Sequence, residues 1–95
     1  MESPDLYTQA AADYQEQLAR ARVEINRRLD KITAAKESAY LFPAARELIL
    51  GDARILAAEI KVLEKQVEVL NKLIVRCVEL QSLAHQGQSY NQEGY

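Results

Sequence analysis

The side chains able to do chemistry are few in this chain and poorly placed for it. It has one histidine, His85, and one cysteine, Cys77. No Asp or Glu stands one helical turn before His85, so the ring lacks the orienting carboxylate that a general acid or base commonly uses. His85 reads instead as a cation near a helix C-terminus, where it softens the dipole. Cys77 falls on an apolar seam, and a free thiol there acts as a small hydrophobe. An activated cysteine needs exposure and a nearby positive group. Arg76 is its neighbour in sequence but points to another side of a helix. Metal binding needs several Cys, His or carboxylate groups converging on one point. Glu59, Glu64, Glu68 and Glu79 are instead interleaved with lysines, as on a solvated face. No glycine-rich phosphate loop occurs. We therefore assign no catalytic, metal-binding or cofactor-binding residues and read the chain as a non-enzyme.

A second kind of chemistry is electrostatic. Arg20, Arg22, Arg27, Arg28 and Lys31 fall within three helical turns, and Arg20, Arg27 and Lys31 share one side. Those three could touch phosphates or an acidic partner. Glu16, Glu24 and Asp30 stand among them and cancel much of the field. With 12 basic and 14 acidic residues the formal charge is −2, which argues against a strongly basic nucleic-acid binder. It is also too mild for an acidic DNA mimic.

These residues must be positioned by helices. From Asp52 to Ala84 the apolar residues Ala53, Leu56, Ile60, Leu63, Val67, Leu70, Ile74 and Cys77 recur in steps of three and four, followed by Gln81 and Ala84. That is the seam of a helix packed lengthwise on another. Tyr7, Ala11, Tyr14, Leu18, Ala21, Ile25, Arg28, Ile32, Ala35, Ala39 and Phe42 step the same way. One register runs from Tyr7 to Ala84, and of its 23 positions Arg28, Arg46 and Gln81 alone are polar. Chance at this composition would place about 11 apolar residues there, so the pattern is a real seam. Arg28 and Arg46 either snorkel at its edge or fix its register.

Helix 1 is expected over about residues 4–41, opened by Ser3 as cap, Pro4 in the first turn and Asp5 at the positive dipole end. Glu16 with Arg20 and Glu24 with Arg28 form i,i+4 pairs in the favourable order. Pro43 breaks the helix and pushes Phe42 out of helical geometry, giving a turn near residues 42–43. Helix 2 follows over about residues 44–85. Gly51-Asp52 offers a break, but Leu48, Ile49, Ile55 and Leu56 stay in phase across it, which favours a continuous helix. Residues 87–95 show no periodicity and read as a disordered tail. A rod of ~120 Å kinked at Pro43 is the alternative to folding back. The hairpin is preferred because it buries both seams within one chain.

Ninety-five residues allow one domain at most, here an all-α antiparallel two-helix hairpin over residues 1–86. Phe42 and five tyrosines are the aromatic residues, there is no tryptophan, and no run alternates with period two as a strand would. The start, Met1 to Asp5, lacks the basic and apolar regions of a signal peptide, and a single cysteine forms no internal disulfide. No apolar run approaches the ~20 residues of a membrane span. A cytoplasmic protein that does not enter membranes is the expectation.

The informative feature is an imbalance between the helices. Helix 2 carries a second stripe at Leu48, Ile55, Val62, Val69 and Leu83, interrupted by Arg76, and its last third adds Leu73, Val75, Val78 and Leu80. In a hairpin this end meets Ala10, Ala11, Tyr14, Leu18, Ala19 and Ala21, which are mostly small. One such helix cannot cover a surface that is apolar on several sides. Leu48, Ile55, Val62, Val69, Leu73, Leu80 and Leu83 are thus the expected partner interface, completing a bundle by self-association or with a helical partner. The function this implies is protein–protein interaction: adaptor, small chaperone, inhibitor or assembly subunit. The alternatives are a nucleic-acid-binding helical dimer using Arg20, Arg27 and Lys31, and a small-ligand binder between bundled helices with Tyr7 and Tyr14 lining the site.

Overall fold

The computed structural model describes the backbone of residues 5–93 and the side chains of residues 5–85. It is an antiparallel hairpin of two long helices. Helix α1 spans Leu6–Leu41, a single 3₁₀ turn covers Pro43–Ala45, and α2 spans Arg46–Glu93. Two contacts between the helices show the folding back: Arg28 meets Glu59 near the middle, and Gln81 donates to Thr8 at the open end.

Each helix boundary has a local cause. Asp5 is the N-cap of α1: its backbone is extended (φ −69°, ψ 162°) and its carboxylate accepts from the Thr8 amide at 2.7 Å. One otherwise unpaired amide is satisfied, and a negative charge sits at the positive end of the dipole. The Thr8 amide, more than any other group, holds the Asp5 carboxyl below its ordinary pKa, and the charge of nearby His85 adds to this. The Ser3 and Pro4 opening expected from the sequence lies outside the described residues.

At the other end Phe42 leaves helical geometry (φ −125°, ψ 75°) while its amide still donates to the Ser38 carbonyl at 2.8 Å. Pro43 forces this, because its ring excludes the α conformation for the residue before it. The turn then closes with Ala45 donating to the Phe42 carbonyl at 3.0 Å. No described residue has a positive φ, so the reversal needs no glycine.

Helix α2 passes through Gly51 without interruption. It also continues beyond the expected end near His85, so the backbone of residues 87–93 is helical where the sequence suggested disorder. Once a helix is under way each further residue adds a hydrogen bond without a new nucleation cost, and a lone glycine at 87 costs only about 1 kcal/mol. Residues 94 and 95 lie outside the described residues. His85 is consequently not a C-terminal cation of α2; it stands within the helix, near the start of α1.

Among the described residues the buried ones are Leu18, Ala21 and Ala39 from α1 and Ala53, Ile60, Leu70 and Cys77 from α2, all on the seam. Three are alanines, which lets the helices approach closely but buries little area. Among the described residues no large side chain is fully enclosed. The hairpin measures 80 × 23 × 13 Å. Its radius of gyration is 21.9 Å, against about 12 Å for a compact domain of this length. Among the described residues no helix is long and apolar enough to cross a membrane.

Candidate functional site: an apolar stripe on the second helix

The seam of α2 uses one side of the helix, and the stripe beside it faces water. Leu48, Ile55, Val62, Val69, Leu73 and Leu83 are all exposed, from 38% at Leu73 to 75% at Leu48. Leu80 is half-buried. Val75 and Val78 are exposed on another side of the same end. The cause is the small width of α1: a single helix lined with alanines covers one row of its neighbour, and the next row is left uncovered.

The middle of the stripe forms a shallow apolar groove lined by Val62, Lys65, Gln66, Val69 and Leu70 of α2 and by Gln17 of α1. Arg20, Arg27 and Lys31 follow Gln17 by three, ten and fourteen residues, which places them on the same side of α1 by helical periodicity. The apolar stripe and the basic group expected from the sequence therefore border one face of the hairpin.

The charges on that face are largely paired. Arg20 is bonded to Glu16, and Arg27 to Glu24 at 3.0 Å. Arg28 reaches Glu24 at 2.7 Å and crosses to Glu59 of α2 at 2.9 Å. The hydrogen bond from Arg28, then the charge of Arg27, holds the Glu24 carboxyl below its ordinary pKa. The same bonds to Glu24 and Glu59 raise that of Arg28, which stays charged throughout the accessible pH range. Arg28 thus links the two helices near their middle through one partly exposed ion pair. Arg46, also assigned to the seam, lies exposed in the first turn of α2. Of the three candidate anion contacts, Lys31 alone lacks an ion pair among the described residues. A surface neutralised in this way offers phosphates little net attraction.

Other candidates are separated. Tyr7 is exposed and Tyr14 half-buried, and two concavities, the stripe groove and one at the turn lined by Lys36, Ala39, Tyr40, Pro43, Arg46 and Leu50, include neither. Cys77 is buried in the seam with a free thiol. No group of three or more His, Cys, Asp or Glu side chains converges among the described residues.

Sequence reasoning overlooked the turn. Phe42 belongs to the seam by phase, yet it is 63% exposed, and Tyr40 and Leu41 beside it are exposed as well. The helix ends at Leu41, so Phe42 has no facing row to enter. Val23 and Leu29 on the outer side of α1 were not singled out either, although their departure from the seam phase marks them. Comparison with protein-family models, with curated proteins and with solved structures found no match to this chain.

Proposed function

We propose that the chain is a non-catalytic helical interaction module, an adaptor, small chaperone, inhibitor or assembly subunit, which covers the stripe of α2 with another chain. The observation that carries this reading is the lack of an interior. The hairpin exposes 7707 Å², whereas a compact monomer of 10.7 kDa exposes about 5,500 Å². Part of that surface is a row of Leu48, Ile55, Val62 and Val69 spaced over more than five helical turns, each at least half exposed, and apolar side chains gathered on one face in this way mark an interaction site. The ion-paired arginines fit the polar rim of such an interface. A cytoplasmic setting belongs to the same proposal, since a reducing compartment suits the free thiol of Cys77.

The test compares wild type with the Val62→Glu/Val69→Glu variant, each used as bait in an extract of the native host. Light scattering of the pure proteins runs alongside. The wild type should assemble, with itself or with a retained protein, and the variant should not. A wild type that stays monomeric and retains nothing beyond what the variant retains contradicts the reading.

A further inference from the structure

The charges within the stripe indicate what covers it. Beside the row of Leu48, Ile55, Val62 and Val69 runs a second row, four residues further on each time: Asp52, Glu59, Gln66 and Leu73, continued by Leu80. Together they step by four and three, which makes a second seam on α2. Its carboxylates lie in the first half and Arg76 in the second. Reversed end to end, the seam is complementary to itself.

We propose that this seam is the interface of an antiparallel two-fold dimer of the chain, α2 lying on α2, with Arg76 of each copy against Asp52 of the other. The proposal rests on the interaction reading above and names its occupant. In this register Leu80 faces Leu48 and Leu73 faces Ile55, so apolar layers flank each ion pair. Asp52 is the partner for Arg76 rather than Glu59, because Glu59 is already held by Arg28 at 2.9 Å, whereas Asp52 makes no ion pair among the described residues; Arg76 would give up its exposed pair with Glu79, at 3.3 Å in the hairpin, to meet it. A parallel dimer would stack Arg76 on Arg76 and Asp52 on Asp52. A two-fold that laid α1 over α2 would set Arg20 and Arg27 against the valines. A foreign helix would have to supply a carboxylate and a cation at the spacing that the second copy already has.

Leu48, Ile55, Val62, Val69 and Leu73 keep from 38% to 75% of their surface in water, which a second copy would cover. The seam from Leu48 to Leu80 is roughly 48 Å long at 1.5 Å per residue. An isologous contact of this kind closes on itself and leaves no stripe open to further growth.

Sedimentation of the purified full chain over a wide concentration range should show a dimer. Arg76→Asp and Asp52→Arg should each weaken it, by on the order of tenfold since both copies lose the pair. The two changes in one chain should restore it. Circular dichroism checks that each variant keeps its helices. Independently of those variants, a spin label at Glu47→Cys in a Cys77→Ala background reports orientation. The two labels should stand about 50 Å apart in the antiparallel dimer, and within about 25 Å in a parallel one. A monomer at every concentration, a double variant as weak as the singles, or a short label distance overturns the proposal. A monomeric chain that still captures a partner through Val62 and Val69 would overturn the dimer while leaving the interaction reading standing.

Discussion

Replacing Val62 and Val69 together by glutamate separates a stripe that is covered from one that is merely exposed. In the isolated hairpin these valines keep 61% and 52% of their surface in water. Full burial of a valine is worth about 1.5–3 kcal/mol, so covering what remains exposed contributes roughly 2 kcal/mol per chain. A dimer loses that twice. Each carboxylate introduced must also be desolvated at the interface, which costs several kcal/mol where no cation faces it. In the antiparallel register the new carboxylate at position 69 meets Glu59 of the other copy, so repulsion adds to desolvation. The combined loss exceeds about 5 kcal/mol, and the dissociation constant should rise by more than about a thousandfold. On a solvent-facing stripe the same changes stay within about 0.5 kcal/mol each and leave the hairpin intact. Sedimentation velocity reads the assembly and far-ultraviolet circular dichroism reads the helices. Unchanged assembly in the double variant would refute the placement of the interface. Loss of helix in a chain that was monomeric from the start would show that the stripe serves the hairpin itself.

Other consequences follow from individual residues. Gly51 lies in mid-helix, and a Cβ added there meets nothing within 4 Å; Gly51→Ala should stabilise the fold by about 0.5–1 kcal/mol and raise the melting temperature by a few degrees. Asp5 and Glu24 have folded pKa values below their ordinary ones, the first held by the Thr8 amide and the second by Arg28. Their contribution is therefore present above the ordinary carboxylate pKa and is lost as pH falls through the lowered values. Denaturant titrations from pH 6 down to acid should show a decline that Glu24→Gln makes shallower. Cys77 should react slowly with a thiol reagent in the folded protein and quickly in denaturant; equal rates would place it outside the seam.

The fold was legible because one physical signal dominates it. Steps of three and four with almost no polar interruption specify paired helices, and Pro43 marks the reversal through a steric rule that needs no tertiary information. All seven residues buried among the described ones were on that seam, and Arg28 was visible as one of its polar members. Helix ends were harder to place. Asp5 serves as cap where Ser3 was expected, because Ser, Pro and Asp in succession each satisfy a rule for a helix start. The extension of α2 to Glu93 was missed because low hydrophobicity signals the absence of packing, whereas a helix already nucleated can propagate without packing. The stripe could be read from the sequence since Leu48, Ile55, Val62 and Val69 keep seven-residue spacing off the seam. Its neighbours on the other helix could not. That Gln17, and with it the side bearing Arg20 and Arg27, borders the same face depends on how the helices are rotated about their own axes, which short-range periodicity leaves undetermined.

The most direct test of a covered stripe is thiol accessibility inside living cells of the native host, where every partner is present. In a Cys77→Ala background, Val62→Cys reports the stripe and Lys61→Cys reports an exposed side of α2 about 100° round the helix from it. A membrane-permeant maleimide should modify Lys61→Cys rapidly and Val62→Cys many times more slowly, with the difference vanishing in denaturant. Equal rates at the two positions in the cell would mean that the stripe is never covered, and the interaction reading would fail with it.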